Sequence, residues 1–159
     1  MKELKIFMLT LIVSFTIASA NAQQSIKAIG VLEFNNEGVL FAGDNLLGAI
    51  HAIDLSTESR KMEKFEINVY NVDAQVAALL GTAPHNVQIN DLAVHPKSGE
   101  AYLSVTRGHG VEALPALIKV DAENEMKNID LNAAKITSQT LSKMPDLTMQ
   151  FKARGVRLP

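Results

Sequence analysis

The chain has 159 residues, of which 47% are hydrophobic, and a formal net charge of −2 at pH 7. It contains no cysteine, which excludes disulfides, cysteine-ligated zinc, iron–sulfur centres and thiol nucleophiles. The weakly acidic balance provides no electrostatic footprint for nucleic acid or for an anionic membrane surface. No nucleic-acid partner is therefore expected.

The N-terminal segment has the organisation of a secretory signal peptide. Lys2 and Lys5 form a positive region, and residues 6–17 form an apolar run too short to cross a bilayer comfortably. An A-x-A sequence ends at Ala22, so we expect residues 1–22 to be removed and the remainder to be periplasmic or secreted. The alternatives are an uncleaved anchor or a buried helix. After cleavage no membrane contact is expected.

Residues 23–71 have the pattern of one four-stranded antiparallel unit. Apolar residues alternate with polar ones along the candidate strands, and the turns between them are rich in Asn, Asp and Gly. The predicted strands span residues 28–34, 39–43, 48–55 and 65–70.

Residues 72–88 predict a short helix followed by a loop. Val72, Val76, Leu79 and Leu80 fall on one face of a helix over residues 72–80. We expect this apolar face to cover one end of the strands. A mobile lid over a central site is the alternative.

Residues 89–131 repeat the first unit. Gly99 follows Gly38 by 61 residues in the equivalent turn, and a longer loop in the second unit lies around residues 107–115. The predicted strands span residues 89–94, 101–106, 116–121 and 126–131. After them the pattern weakens, and residues 132–146 fit either an extended segment or a helix. We interpret residues 132–159 as a connection toward a missing third unit.

The second unit resembles a known architecture at its first turn, where Leu92 to Val94 precede His95-Pro96-Lys97-Ser98-Gly99 and an aromatic strand. This pattern is similar to blades of bacterial secreted β-propellers of the lactonase, NHL and quinoprotein-like groups. The resemblance implies an all-β fold of about two four-stranded propeller blades with an inserted helix. Propellers close with four to eight blades, so such a propeller is incomplete. We expect an N-terminal fragment whose partners are further blades of a longer chain, with self-association as the alternative.

Four residues are the candidates for ligand binding. Asn90 and Asp91 open the innermost strand of the second unit, where an amide and a carboxylate would face a central channel. The alternative is that Asp91 bonds the backbone of a turn or of the neighbouring unit. Arg107 and His109 lie in a glycine-rich tip, where Arg107 would bind a carboxylate or phosphate and His109 would move a proton.

The remaining histidines are expected to be structural: His95 in its turn, His51 within a strand and His85 in a loop. No two histidines have metal-ligand spacing, and no metal site is predicted. Catalytic residues are unknown, and whether the chain is an enzyme is open. We expect an exported binding or scaffold module. The alternative is part of a lactonase-like metal-dependent hydrolase, for which calcium in the central channel would be the cofactor.

Overall fold

Two antiparallel sheets and one α-helix make up the part of the chain that the structure describes. A computed structural model describes residues 26–55 and 66–142. The predicted signal peptide and its cleavage after Ala22 lie outside these residues. Each sheet has four strands, so the structure confirms a mostly β fold with one helix. No helix within the described ranges is long and apolar enough to cross a membrane.

The strands follow the predicted hairpins closely, with shifts of a few residues at their ends. In chain order the elements are β1 (Leu32–Phe34), β2 (Val39–Asp44), β3 (Ala49–Asp54), α1 (Val72–Leu79), β4 (Val87–Val94), β5 (Ala101–Arg107), β6 (Leu114–Val120), β7 (Met126–Asn128) and β8 (Ile136–Thr140). The first sheet has the order β1-β2-β3-β8, and the second has the order β4-β5-β6-β7.

The fourth strand of the first sheet is β8, and the prediction of a strand at residues 65–70 is wrong. Residues 66–70 form no strand, and Val69 packs instead with the apolar residues around α1. β8 pairs with β3 in register His51↔Ser138, so residues 136–140 adopt the extended alternative of the two predicted for this region, whereas residues 143–146 lie outside the described residues. Alternation alone could not reveal this, because it shows that a strand is half-buried but not which strand it pairs with.

The main core lies between the two sheets. One side of the first sheet packs on one side of the second, and we call these the facing sides. Phe34 meets Tyr102 across this core with ring centroids 5.3 Å apart in an edge-to-face arrangement. The buried residues of this core are Ile29, Leu32, Leu40, Ala42, Ile53, Leu55, Tyr102 and Leu117.

Helix α1 packs on the opposite side of the second sheet. Val76 is fully buried there, in contact with a cluster that includes Leu103, Val105 and Ile118. The apolar face of α1 therefore covers a sheet face, whereas we had expected it to cover the end of the strands. The first sheet has no such cover on its outer side within the described residues, where Phe41 and Ile50 are 39% and 44% exposed.

The burial of Val76 predicts that this residue anchors α1. Val76→Ala removes two methyl groups from a closed core, so we expect a loss of about 2 kcal/mol in the free energy of unfolding. Val111→Ala is the matched control, because Val111 is fully exposed. Urea denaturation of both variants measures the difference, and equal stabilities would contradict the assigned packing.

The turn between β1 and β2 has no room for a side chain at Gly38. Its φ is 93°, and a Cβ there would lie 2.5 Å from Nε2 of His95. We therefore expect Gly38→Ala to combine the strain of a positive φ with displacement of His95, at a cost of about 2–4 kcal/mol. Gly81 has a φ of 63° but nothing within 4 Å of the added Cβ.

Gly81→Ala thus serves as the control that carries the backbone strain alone. Thermal unfolding should show the larger loss for Gly38→Ala. Equal losses in the two variants would show that the contact with His95 has no energetic effect.

Candidate functional site

Polar side chains of the second sheet bind the backbone that leads into β1. Oγ of Ser104 donates to the carbonyl of Gly30 at 2.7 Å. Oδ2 of Asp91 accepts from the N–H of Leu32 at 2.8 Å, while its Oδ1 accepts from the N–H of Leu92. Asp91 therefore accepts a hydrogen bond from the backbone of the neighbouring sheet. This is the structural alternative predicted for Asp91 from the sequence.

Asn90 sits at an irregularity in the ladder between β4 and β5. The register shifts between Ile89 and Asp91, which is a β-bulge that leaves Asn90 out of the strand pairing. Its Nδ2 group donates to the carbonyl of Ile29 in the other sheet and to Oγ1 of Thr106, both at 2.9 Å. The bulge thus directs the amide of Asn90 into the space between the sheets.

A groove of about 420 Å³ opens at this end of the interface, and we call it the inter-sheet groove. Its walls come from both sheets and from the loop between β5 and β6. The lining residues are Lys27, Ala28, Ile29, Gly30, Asn45, Leu46, Gln88, Asn90, Thr106, Gly108, His109, Gly110, Ala113, Leu114 and Pro115.

The structure brings together two of the four candidate residues. Asn90 and His109 both line the inter-sheet groove, whereas Asp91 and Arg107 do not. Thr106 faces the groove, so the alternation of β5 places Arg107 on the helix side of the second sheet. Arg107 and His109, which are neighbours in the same tip, therefore do not act on one ligand.

The loop that carries His109 is held by backbone contacts. The Nε2 group of His109 donates to the carbonyl of His85 at 3.1 Å, which assigns the proton to that nitrogen. The N–H of Gly108 donates to the carbonyl of Asn86 at 2.8 Å, and Gly108 has a φ of 83° that a side chain would disfavour. The glycine-rich tip around His109 is therefore hydrogen-bonded to the loop before β4.

A buried carboxylate, that of Asp44, holds in place the segments of the first sheet that line the groove. Oδ2 of Asp44 accepts from the N–H groups of Lys27 at 2.7 Å and Ala28 at 3.1 Å. Oδ1 of Asp44 accepts from the N–H groups of Leu46 at 3.0 Å and Leu47 at 2.9 Å. Asp44 is only 2% exposed, so a single carboxylate positions both first-sheet segments of the lining.

Asp44 continues into a buried chain of hydrogen bonds. Its Oδ2 lies 3.3 Å from Nε2 of His51, and Nδ1 of His51 lies 2.8 Å from Oγ of Ser138 in β8. Burial alone would raise the pKa of Asp44, but hydrogen bonds from Leu47, Lys27, Ala28 and His51 outweigh it and lower the pKa below 3.8.

The carboxylate is therefore ionised, so Nε2 of His51 donates to it, and Nδ1 of His51 is hydrogen-bonded to the hydroxyl of Ser138. A carboxylate, imidazole and hydroxyl in this order also occur in serine hydrolases. Here His51 is fully buried, and neither it nor Ser138 lines the inter-sheet groove. We assign the chain of bonds a positioning role.

Sequence reasoning missed this network as a unit. The sequence predicts a structural role for His51 within a strand, and Asp44 belongs to the Asp- and Asn-rich stretch that follows the strand before it, but neither pattern links the two residues. The signal that could have joined them is their closeness on adjacent strands of one hairpin, near its turn, where Asp44 pairs with Ala49 and His51 pairs with Ala42 two positions away. Ser138 could not be found, because the pairing of β8 with β3 has no local signature.

His95 is structural, as predicted. Its Nδ1 accepts from the N–H groups of Lys97 and Ser98, and its ring meets Phe34 edge to face at 5.1 Å. Burial lowers the pKa of His95, with Lys97 and Lys119 adding to this effect and Glu100 opposing it. His95 is therefore neutral in the folded protein at neutral pH.

A second groove, of about 630 Å³, lies at the other end of the strands, and we call it the lysine groove. Lys119, Lys127 and Lys135 line it together with two aspartates. Each lysine is within 3.5 Å of a carboxylate, so the positive charges are already balanced by the protein. Across residues 26–55 and 66–142, no group of three or more His, Cys, Asp or Glu residues could hold a metal ion.

The lowered pKa of Asp44 predicts a contribution to stability that depends on pH. The folded state binds fewer protons than the unfolded state between the lowered pKa and 3.8, so stability rises with pH in this interval. The contribution is complete above 3.8 and is lost as the pH falls through the lower value. Asp44→Asn should lower the free energy of unfolding by about 2 kcal/mol near neutral pH. It should also reduce the dependence of this free energy on pH in the acidic interval.

Glu33→Gln is the control, because Glu33 is an exposed carboxylate in the same sheet. Denaturation with urea from about pH 7 to about pH 3 measures the profiles. The assignment of Asp44 fails if Asp44→Asn retains the acid limb of the unmodified protein.

Similarity to other proteins adds nothing to this geometry, because no family model, no curated protein and no solved structure matches the chain. The residues of the inter-sheet groove and their contacts are therefore the basis for inferring a function.

Proposed function

We propose that this chain is an exported binding module built from two propeller-like sheets, and that its ligand lies in the inter-sheet groove. The observation that carries the proposal is that segments of both sheets contribute walls to one groove, which Asn90 and His109 both line. Concave sites with a few oriented polar groups at an interface between structural units are typical of small-molecule binding.

The propeller-like part of the proposal is supported by how the sheets stack. Phe41 and Tyr102 are equivalent in the two repeats, because each lies three residues after the repeated glycine. Tyr102 points to the facing side of the second sheet, whereas Phe41 points to the outer side of the first. The sheets therefore stack in the same orientation, as consecutive blades do. Export is supported by the N-terminal sequence up to Ala22.

A binding role fits the polar groups of the groove better than the metal-dependent alternative. Asp91, the proposed oxygen ligand for calcium, uses both carboxylate oxygens on backbone N–H groups. The groove itself is lined by amides, a hydroxyl and an imidazole, which bind and orient a ligand through hydrogen bonds.

The proposal predicts that filling the groove abolishes binding. Ala113 lines it, so Ala113→Phe should occupy the space that a ligand needs. We would screen a library of small fragments against the chain from residue 23 onward and follow its backbone amide NMR signals. Fragments should shift the signals of Leu46, Gly108 and Gly110 in the unmodified protein and should lose this effect in Ala113→Phe.

Ala133→Phe is the matched control, because Ala133 lines the lysine groove. This variant should bind the same fragments as the unmodified protein. If the shifts map to the lysine groove, or if Ala113→Phe binds as before, the proposed function is wrong.

A further inference from the structure

We infer that the ligand of the inter-sheet groove is a small amphiphilic carboxylate, meaning an organic anion with an apolar body. This inference rests on the proposed function and specifies the chemical class of its ligand. Three properties of the lining point to this class: its charge, its free hydrogen-bond donors and its exposed apolar side chains.

The charge of the lining is positive. Lys27 and His109 are its basic residues, and it contains no aspartate or glutamate. Lys27 forms no ion pair with any residue in the described ranges, in contrast to the three lysines of the lysine groove. A lining without a carboxylate offers no counter-ion to a cationic or zwitterionic ligand, whereas an unpaired ammonium attracts an anion.

Asp44 lies close to the groove but offers it no free carboxylate oxygen. It lies beneath the lining rather than in it, and it is 2% exposed. Its two oxygens are taken by four backbone N–H groups and by His51. The carboxylate therefore positions the lining segments by hydrogen bonds, and its oxygens are occupied by donors within the protein.

The hydrogen-bonding groups on the second sheet favour a ligand that accepts hydrogen bonds. Oγ1 of Thr106 accepts from Asn90, so the hydroxyl proton of Thr106 is left to donate. Gln88 is an exposed neighbour on β4, and its side-chain amide can also donate. A carboxylate has acceptor sites for several such donors at once.

Exposed apolar side chains line part of the groove. Leu46 and Leu114 both line it and are 66% and 57% exposed, and Pro115 lies beside Leu114. Large apolar side chains that remain exposed around a polar site mark a place where an apolar ligand surface is buried. The anion is therefore expected to carry a hydrocarbon body against the two leucines.

Phenylacetate, phenylacetamide and acetate separate these contributions. Phenylacetate has both the charge and the apolar ring, phenylacetamide has the ring without the charge, and acetate has the charge without the ring. Isothermal titration should show phenylacetate binding about tenfold more tightly than either of the others. Raising the salt concentration should weaken phenylacetate binding and leave phenylacetamide unchanged.

Lys27→Met keeps most of the side-chain stem and removes the charge. We expect it to weaken phenylacetate binding about threefold, the size typical of an exposed ion pair, and to abolish its salt dependence. Lys135→Met is the matched control, because Lys135 is an 85% exposed lysine of the other groove. It should bind phenylacetate like the unmodified protein.

The outcomes distinguish the ligand class from the proposed function. If phenylacetamide binds as tightly as phenylacetate and Ala113→Phe abolishes both, the groove binds ligands but the inference of an anion is wrong. The inference is also overturned if phenylacetate does not bind, or if Lys27→Met binds it with unchanged affinity and salt dependence. If phenylacetate binds equally to Ala113→Phe, both the ligand class and the proposed function are wrong.

Discussion

The rest of the structure depends on the hydrogen bonds that side chains of the second sheet make to the backbone at the start of β1. The carbonyls of Ile29 and Gly30 and the N–H of Leu32 all bond to side chains of β4 and β5. Ile29 and Gly30 lie just before β1 and Leu32 lies in β1, an outermost strand in the order β1-β2-β3-β8. Ile29 and Leu32 belong to the main core, where unpaired polar backbone would be costly. The apolar contacts between the sheets are non-directional, so these three bonds set the alignment of one sheet on the other.

This alignment stacks the two sheets so that their outer sides differ. Each sheet has two apolar sides, and the two facing sides bury each other. The far side of the second sheet is covered by α1, which buries Val76 against it. The outer side of the first sheet keeps Phe41 partly exposed, although its equivalent Tyr102 is fully buried.

The sequence predicted what depends on local pattern and missed what depends on pairing at a distance. The hairpins, α1 and the structural role of His95 follow from alternation, helical spacing and turn chemistry. The pairing of β8 with β3 joins segments more than eighty residues apart, and no local signal specifies it. For the site, polar residues at a strand end predict Asn90 as a candidate, and the bulge in β4 explains how Asn90 comes to line the groove. Arg107 lies on the other side of the sheet because of the alternation of β5.

Asp44 shows why the stability of this fold and the shape of its groove are not independent. Its carboxylate holds the strand entry at Lys27 and Ala28, the turn at Leu46 and, through His51, the last strand of the sheet. Five donors to one buried group make the network worth more together than its separate bonds, because loss of the acceptor leaves several N–H groups unpaired. A change that weakens the first sheet at this point also displaces Lys27, the positive charge of the groove. The geometry of the groove is therefore a consequence of the same hydrogen bonds that close the sheet.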